Sequence, residues 1–479
     1  MNLAELQAVI PILIVVATAL ITLAVEAFRG KDERLPLGIL GLIGLGGAAA
    51  ASVMLWGHNR ISFGVVRADN FALFVNGILI IVGMLTILFS GDVIEREELP
   101  AGEYYALILF SLSGMMLMAS ATDLLVVFLA LEILSLGVYV LTAIRRSSLA
   151  GAEGGFKYFL LGAFSSAFFL YGVALTYVVA GSTRLDKVAL AIAGHSTAPT
   201  LFVLIAVGLV MVGFAFKVSA VPFHMWTPDA YQGAPTIVTG FMSTAVKAAA
   251  FAAFVRVFLT AFGPLSAHWV PLLGASAIAT MIVGTVVGVA QTSVKRMLAY
   301  SSIAHGGYML VGLIAATDTG QAAVLFYLLS YAVTNLGAFG ILALLASRAN
   351  EHDEVRDFAG LWKSEPVLAT LLTVFLLSLG GLPPTAGFVA KWYIFSAAIR
   401  AGYVDLAVVG MLTSVISVFF YLRVVVMMYM TDPADQPERP VIGVLPIAAL
   451  VVSTIVLFYL GILPTRVLNL AAASVGTIF

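Results

Sequence analysis

Residues 201–236 read LFVLIAVGLVMVGFAFKVSAVPFHMWTPDAYQGAPT. The segment begins as an apolar run and carries the cation Lys217 and the ring of Pro222 inside it. A bilayer core about 30 Å thick takes about 20 apolar residues per helix, so the run predicts a membrane span. Because a proline ring clashes with the carbonyl four residues earlier, here Val218, we expect the helix to break at Pro222. Backbone groups freed at membrane depth are tolerated only inside protein or beside water, so the break predicts a functional site nearby.

The whole chain shares the apolar character of this segment. Of its 479 residues, 61% are hydrophobic and 10% are charged, against about 25% charged in an average soluble domain. This composition excludes a soluble globular protein. Lys and Arg number 24 and Asp and Glu number 25, for a net charge of −1. Because such a chain has no long-range positive field, a role in binding nucleic acid is not expected.

The sequence argues against a cofactor or metal in this chain. It contains no cysteine, which excludes disulfides, Cys-ligated iron–sulfur clusters and thiolate zinc sites. Its six histidines show no metal-ligand spacing. The run Gly44-Leu45-Gly46-Gly47 resembles part of a dinucleotide loop, but it lies within an apolar span with no strand before it. We therefore expect this run to allow close helix packing rather than to bind NAD.

Apolar blocks of membrane length recur along the chain and predict an all-α membrane protein with about 14 transmembrane helices. The first block lacks a basic leader and a small-residue cleavage site, so Met1–Phe28 predicts an uncleaved helix. The fourteen blocks are 6–28, 35–56, 70–90, 104–121, 123–144, 155–180, 199–230, 236–262, 269–290, 297–316, 321–346, 366–400, 405–430 and 441–463.

The seventh and twelfth blocks, 199–230 and 366–400, are too long for single straight helices. At 1.5 Å per residue, the 35 residues of block 366–400 would extend about 52 Å. The sequence Gly380-Gly381-Leu382-Pro383-Pro384 supplies the break within it. Two broken helices five blocks apart predict an internal repeat of the transporter kind, with the site near the breaks.

Basic residues in the short loops predict the orientation of the chain. Twelve lie in loops after odd-numbered blocks, and six lie on the opposite side together with both termini. By the positive-inside rule, this bias places both termini on the periplasmic or outer side. The twelve are Arg29, Lys31, Arg34, Arg96, Arg145, Arg146, Lys295, Arg296, Arg348, Arg356, Lys363 and Arg439. The six are Arg60, Arg67, Arg184, Lys187, Arg400 and Arg466.

Five ionisable residues lie deep inside the predicted spans: Glu132, Lys217, Lys247, His305 and Lys391. Placing an ionisable residue at the bilayer centre costs a few kcal/mol of insertion free energy. Five such residues therefore predict a proton pathway rather than residues without a function. The alternative interpretation is that Lys217 and Glu132 form a purely structural ion pair.

Other polar residues within the blocks have weaker interpretations. The eleventh block carries a polar stripe suited to holding water, formed by Tyr327, Ser330, Tyr331, Thr334 and Asn335. Three further cations lie nearer block ends, where snorkelling or structural pairing is the better interpretation. They are Lys157, Arg256 and Arg423.

Three stretches of sequence point to a family. Residues 216–236 closely resemble the signature of subunit N of proton-pumping NADH:quinone oxidoreductase, respiratory complex I. Supporting stretches are YSSIAHGGY at 300–308 and GLPPTAGFVAKW at 381–392, and the likeness covers essentially the whole chain. Subunits L and M of that complex and the multisubunit cation/proton antiporters share the fold.

Three features of this sequence favour subunit N over its relatives. The continuation Tyr231-Gln232-Gly233-Ala234-Pro235 is typical of N. Lys391 stands where subunit M typically carries a glutamate. The chain also ends soon after the fourteenth block, without the long lateral helix of subunit L.

The resemblance implies an antiporter-like fold with broken helices 7 and 12, interrupted at Pro222 and at Pro383 and Pro384. In a single polytopic domain, 1–479, it implies two inverted five-helix repeats, at 104–262 and 269–430. Three N-terminal helices in 1–90 would precede them, and a last helix and tail in 441–479 would follow. The roles it implies are Glu132 as the fifth-helix acid, Lys217 as the seventh-helix lysine, Lys247 as the eighth-helix bridge, His305 as the central relay and Lys391 as the distal exit lysine.

The resemblance also implies a membrane subunit that pumps protons while partner subunits transfer electrons from NADH to quinone. Those partners would bind the FMN, iron–sulfur clusters and quinone, and the nearest would be subunits K, M and J. The expected location is the bacterial inner membrane, among its lipids. The alternatives are a stand-alone secondary transporter, a subunit of a multisubunit cation/proton antiporter, and a passive assembly subunit.

Overall fold

The computed structural model describes residues 3–28, 36–194, 201–346, 353–432 and 442–478. Within these ranges the chain is almost entirely helical, apart from a small hairpin of β1 (Arg60–Ser62) and β2 (Val66–Ala68). The helices are α1 (Ile10–Phe28), α2 (Leu37–Leu55), α3 (Asn70–Arg96), α4 (Ala101–Ser120), α5 (Leu124–Thr142), α6 (Leu149–Ala180), α7 (Leu185–Gly194), α8 (Leu201–Lys217), α9 (Trp226–Gly233), α10 (Thr236–Phe241), α11 (Lys247–Thr260), α12 (Ser266–Val289), α13 (Val294–Ala315), α14 (Asp318–Leu345), α15 (Leu361–Ser364), α16 (Pro366–Gly380), α17 (Ala386–Arg400), α18 (Val404–Met430), α19 (Val444–Ile462) and α20 (Thr465–Val475).

Several irregular turns interrupt or join these helices. A π-helical turn, Met242–Val246, joins α10 to α11, so that the two form one continuous helix. Short 3-10 turns lie at Leu3–Val9, Gly263–Leu265 and Val355–Phe358.

The prediction of an all-helical membrane protein is confirmed. Among the described residues, twelve helices are long and apolar enough to cross a bilayer. The other two predicted blocks, the seventh and the twelfth, are each divided into two shorter helices. The count of fourteen crossings therefore stays a prediction.

The glycine run in α2 allows the close packing that its sequence suggests. A methyl group added at Gly44 would lie 2.1 Å from the Thr18 hydroxyl of α1. Only a residue without a side chain lets α1 and α2 approach this closely.

The first break begins five residues earlier than the proline suggests. α8 ends at Lys217, and Ser219 takes the left-handed conformation with φ of 61°. The chain then turns back, and α9 begins at Trp226. The expected clash between Pro222 and the Val218 carbonyl is therefore wrong as the cause of the break, because Val218 already lies outside the helix.

The second break lies where the sequence predicts it. α16 ends at Gly380, and Gly381 is left-handed with φ of 85°, which glycine adopts without strain. α17 resumes at Ala386. The Val221–Pro222 and Pro383–Pro384 peptide bonds, one in each break, are both cis.

One close contact between helices recurs at a spacing of 170 residues. A methyl group added at Gly114 of α4 would lie 2.6 Å from the backbone nitrogen of Leu134 in α5. One added at Gly284 of α12 would lie 2.5 Å from the backbone nitrogen of Ala304 in α13. The helix pairs α4–α5 and α12–α13 therefore pack in the same register.

The starts of α5 and α13 are anchored alike, again 170 residues apart. Thr183 donates its hydroxyl to Asp123 over 2.7 Å beside α5. Ser293 donates its hydroxyl to Asp353 over 2.7 Å beside α13. These matched contacts support a structural repeat between 104–262 and 269–430. The bounds of the two repeats and their inverted orientation stay predictions.

The orientation of the chain also stays a prediction. Of the basic residues counted for it, Arg29, Lys31, Arg34, Arg348 and Arg439 lie outside the described residues.

The assignment of Lys295 and Arg296 to a loop is wrong. Both lie in the first turn of α13, and Lys295 is buried, where it donates to the Ala234 carbonyl over 2.7 Å. The predicted block began three residues too late, because the polar cap Ser293 and these two cations hide the start of the helix.

The C-terminal segment forms a structured helix that the sequence did not reveal. α20 packs against α3 and α14. The backbone N–H of Phe71 donates to the Thr477 hydroxyl over 3.2 Å. The tail is thus anchored at the N-terminal end of α3.

Candidate functional site

The five predicted site residues form two clusters, one beside each helix break. Lys217, the last residue of α8, is 2% exposed. Its ammonium lies 5.2 Å from the ring centre of Tyr139, 5.3 Å from that of Tyr158 and 5.7 Å from that of Phe216. It has no hydrogen-bond partner among the described residues. Cation–π attraction is therefore its main direct stabilisation.

The break in the seventh block completes this aromatic cage. Trp226, the first residue of α9, stacks on Tyr158 with ring centres 4.1 Å apart and planes 3° from parallel. Its indole N–H donates to the Phe216 carbonyl over 3.0 Å. The reversal after Lys217 thus returns Trp226 to the end of α8 and encloses the lysine.

Glu132 of α5 lies near this cage without closing an ion pair. Its Oε1 is buried and has no hydrogen-bond partner in the described part of the chain. The carboxylate acts electrostatically on both Lys217 and Tyr139. Within the described residues no ion pair joins Glu132 to Lys217, in contrast to the structural pair considered as the alternative.

Lys247 begins α11 directly after the π-helical turn. It is almost fully buried. Its ammonium donates to both the carbonyl and the hydroxyl of Ser302 in α13, the latter over 2.6 Å. π-turns inside helices often occur at functional sites, and this one sets the position from which Lys247 reaches α13.

His305 lies one turn beyond Ser302 in α13, between two tyrosines. Its Nδ1 lies 2.7 Å from the Tyr327 hydroxyl of α14. Its Nε2 lies 3.4 Å from the Tyr421 hydroxyl of α18, which also bonds to Ser301. Both ring nitrogens therefore face groups that can donate or accept a proton.

Lys391 lies in α17, just after the second break, and is 5% exposed. Its ammonium donates to the carbonyls of Leu379 and Gly380 over 2.8 and 3.0 Å, and to the Ser414 hydroxyl over 2.7 Å. These carbonyls end α16, where a cation is also favoured by the helix dipole. Lys391 thus caps the helix that the break leaves open.

The structure brings Lys247, His305 and Lys391 together as the second cluster. Both lysines act electrostatically on the imidazole. The first cluster, Glu132 and Lys217, approaches the second through the segment after α8. A methyl group added at Gly306 of α13 would lie 2.9 Å from the Val218 carbonyl and 3.7 Å from the Lys247 ammonium.

The cations nearer the block ends have structural partners, as predicted. Arg256 forms a bidentate pair with Asp69, both at 2.8 Å, and the two side chains are 1% and 0% exposed. Lys157 pairs with Asp229 at 2.8 Å. Arg423 donates to backbone carbonyls, including that of Val289.

The chemistry that this arrangement supports is proton transfer. Amine, imidazole and hydroxyl groups can each give up and regain a proton. Within the described residues, no group of three or more His, Cys, Asp or Glu side chains could hold a metal ion.

Several partners of the site residues escaped the sequence analysis. They are Tyr158, Phe216, Trp226, Ser414, Ser417 and Tyr421. The α18 residues Ser414, Ser417 and Tyr421 follow a helical spacing within an apolar block, and that periodicity could have revealed them. No local pattern reveals the cage, because its aromatic residues come from separate helices.

Known proteins resemble this chain along its full length. A family model described as NADH:quinone oxidoreductase/Mrp antiporter, TM, matches residues 121–417. NADH-quinone oxidoreductase subunit N of Trichlorobacter lovleyi is 45% identical over 476 residues, covering 99% of this chain and 98% of the relative.

Solved structures agree with these sequence matches. A chain of respiratory complex I from Thermus thermophilus with bound aureothin is 35% identical, with a TM-score of 0.82, covering 97% of this chain and 100% of that chain. A chain of the Mrp complex from a Dietzia species has a TM-score of 0.85 at 23% identity, covering 100% of this chain and 98% of that chain. At that identity the second likeness concerns the fold alone.

Proposed function

The chain belongs to the NADH-quinone oxidoreductase subunit N family, and we propose that its two clusters carry protons across the membrane while partner subunits oxidise NADH and reduce quinone. The observation that carries this proposal is the set of buried proton carriers beside the two helix breaks. Lys217, Lys247, His305 and Lys391 are all buried, and buried ionisable groups inside membranes usually mark ion pathways.

The first cluster loads and releases the proton. A nearby carboxylate stabilises a protonated lysine, whereas burial favours the neutral amine. With Glu132 close and ionised, Lys217 keeps its proton. When Glu132 moves away or becomes neutral, the ammonium has only aromatic rings around it, and the proton moves on.

The second cluster receives the proton and passes it to the distal side. Lys247 accepts it beside Ser302, His305 relays it between tyrosine hydroxyls, and Lys391 holds it last before the exit. Moving one charge against about 150–200 mV requires about 4 kcal/mol. The redox reaction in the partner subunits supplies this energy.

The proposal includes an assembly and a location. We propose that the chain works as a multi-pass subunit of the oxidoreductase in the bacterial inner membrane, with subunits K, M and J as its nearest partners. The bias of basic residues in the loops favours both termini on the outer side. FMN, iron–sulfur clusters and quinone are held by other subunits in this proposal. For the clusters this agrees with the absence of cysteine, their usual ligand, from this chain.

The experiment that tests this function is purification of the tagged chain from native membranes. We expect it to co-purify with flavin and iron–sulfur subunits that reduce quinone with NADH. Separated from them, the chain should show no visible cofactor absorbance and no NADH oxidation. A chain that purifies without such partners and shows solute-coupled flux would instead be a secondary transporter.

If the chain had only a passive role in assembly, a different result would be expected from the purified complex. Neutralising Lys217, Lys247 or Lys391 would then leave proton uptake per NADH unchanged in sealed vesicles.

A further inference from the structure

α18 carries a buried polar stripe along one face of its middle part. Ser414, Ser417 and Tyr421 are all buried, and their spacing of three and four residues puts them on one face. On the opposite face, Val415 and Phe419 are 71% and 59% exposed, as expected of lipid-facing residues. The hydroxyls thus line the protein side of the helix.

The two ends of this stripe contact two members of the second cluster. At one end, the Lys391 ammonium donates to the Ser414 hydroxyl over 2.7 Å. At the other end, the Tyr421 hydroxyl lies 3.4 Å from Nε2 of His305. Between them, Ser417 donates to the Ser414 carbonyl over 2.6 Å.

Tyr308 of α13 adds a hydroxyl beside the middle of the stripe. The hydroxyls of Ser417, Thr413 and Thr285 lie near that of Tyr308, but the Tyr308 hydroxyl makes no direct hydrogen bond among the described residues. The Lys391 ammonium lies 5.2 Å from the centre of the Tyr308 ring. Buried hydroxyls so arranged are the partners that an ordered water requires.

The competing connection is the polar stripe of α14. Tyr327 contacts Nδ1 of His305 over 2.7 Å, and Thr334 lies 3.3 Å from the Ser378 hydroxyl of α16. Among the described residues, however, no α14 side chain hydrogen-bonds to Lys391. Within the described ranges, the α18 stripe is the one set of side chains that hydrogen-bonds to both His305 and Lys391.

We propose that Ser414, Ser417 and Tyr421 of α18 form the hydroxyl path by which a proton travels from His305 to Lys391. This inference rests on the proposed proton-pumping function. In each step a hydroxyl oxygen accepts one proton and releases its own to the next hydroxyl or to the amine, and the Ser417 hydroxyl first turns from the Ser414 carbonyl to which it donates in the structure. The imidazolium of His305 loses one proton, the neutral amine of Lys391 gains one, and the hydroxyls end unchanged.

The test uses the intact complex in sealed vesicles and measures NADH oxidation and proton uptake per NADH. Tyr421→Phe keeps the ring and removes the hydroxyl, and Ser414→Ala removes the contact to Lys391. We expect each to reduce proton uptake per NADH to less than about half, because a positioned proton carrier is lost. The double variant should lose no more than the worse single variant, since both lie on one path. Ser414→Thr keeps a hydroxyl and should restore uptake.

Tyr429→Phe is the matched control. Tyr429 lies two turns further along α18, where its hydroxyl contacts Thr373 and its ring packs on Trp362. It should pump normally. Tyr327→Phe reports on the α14 connection and should cost less uptake than Tyr421→Phe.

The outcomes separate this path from the proposed function. If Lys391→Ala lowers uptake while Tyr421→Phe and Ser414→Ala do not, the α18 path is wrong and the pumping function stands. A loss in Tyr327→Phe alone would move the path to α14. If Lys391→Ala also pumps normally, the proposed role of the second cluster fails. If Tyr421→Phe does not assemble, proton uptake is measured in Ser417→Ala, Ser414→Ala and Ser414→Thr instead. Reduced uptake in both alanine variants and normal uptake in Ser414→Thr supports the path, and normal uptake in all three contradicts it.

Discussion

Lys217 and Lys391 lie beside the two helix breaks and are equally hidden, yet their ammonium groups have opposite surroundings. Lys391 donates three hydrogen bonds, two of them to the carbonyls that end α16. Lys217 has three aromatic rings around it and no hydrogen-bond partner among the described residues. A buried charge is costly unless it is paired and hydrogen-bonded. In the proposed relay, Lys217 is therefore the group expected to release its proton more readily, and Lys391 the group expected to hold one.

The largest expected effect comes from removing the ability of Lys217 to titrate. Lys217→Ala removes the proton carrier, and Lys217→Arg keeps a charge that does not dissociate in proteins. We expect both variants to assemble and to lose most of their proton uptake per NADH in sealed vesicles. Quinone reduction coupled to that uptake should slow with it.

Lys157→Arg serves as the control for this substitution. Lys157 is half-exposed and pairs with Glu153 and Asp229, so its exchange should leave pumping unchanged. Full pumping by Lys217→Arg would rule out a titrating lysine and reduce Lys217 to a fixed structural charge.

The next effect concerns the stability of the subunit, which we expect to fall when Lys391 is replaced but not when Lys217 is replaced. Lys391→Met leaves the Leu379 and Gly380 carbonyls without their lysine donor and should destabilise the subunit by about 1–3 kcal/mol. Lys217→Met removes a buried charge that has no hydrogen bond, so it should be neutral or stabilising. Thermal release of the subunit from the purified complex measures both. Equal destabilisation by the two variants would contradict the contrast between the sites.

The smallest effect tests whether the two halves share a scaffold. Gly114→Ala and Gly284→Ala each place a methyl group against the backbone of the next helix. Each should lower thermal stability by about 1–3 kcal/mol, since overpacking forces the helices apart. Gly274→Ala, in the same helix as Gly284 with nothing within 4 Å of the added carbon, is the control and should be neutral or slightly stabilising. A loss in only one of the first two would argue against a common scaffold.

How well the sequence predicted each element depended on how local its signal was. The apolar blocks and the Gly380–Pro384 break are read from neighbouring residues, and the structure agrees with both. The first break was expected at Pro222, but α8 ends at Lys217 because Ser219 is left-handed. A serine at position 219 does not predict a left-handed conformation, which is typical of glycine. Similarly, α20 and the start of α13 lay outside the expected blocks because polar residues interrupt their apolar pattern.

By itself, the sequence determined that this is a membrane protein of broken and unbroken helices, and it singled out five ionisable residues as the candidate site. Those conclusions follow from hydropathy, helix length and the chemistry of proline and glycine, all of which act over one or two turns. The tertiary structure alone decided that Ser302 receives the bonds of Lys247, that Ser414 receives one from Lys391, and that Lys217 receives only aromatic rings. Those partners lie on other helices. A buried polar side chain can contact only the groups that the packing of the whole bundle places next to it.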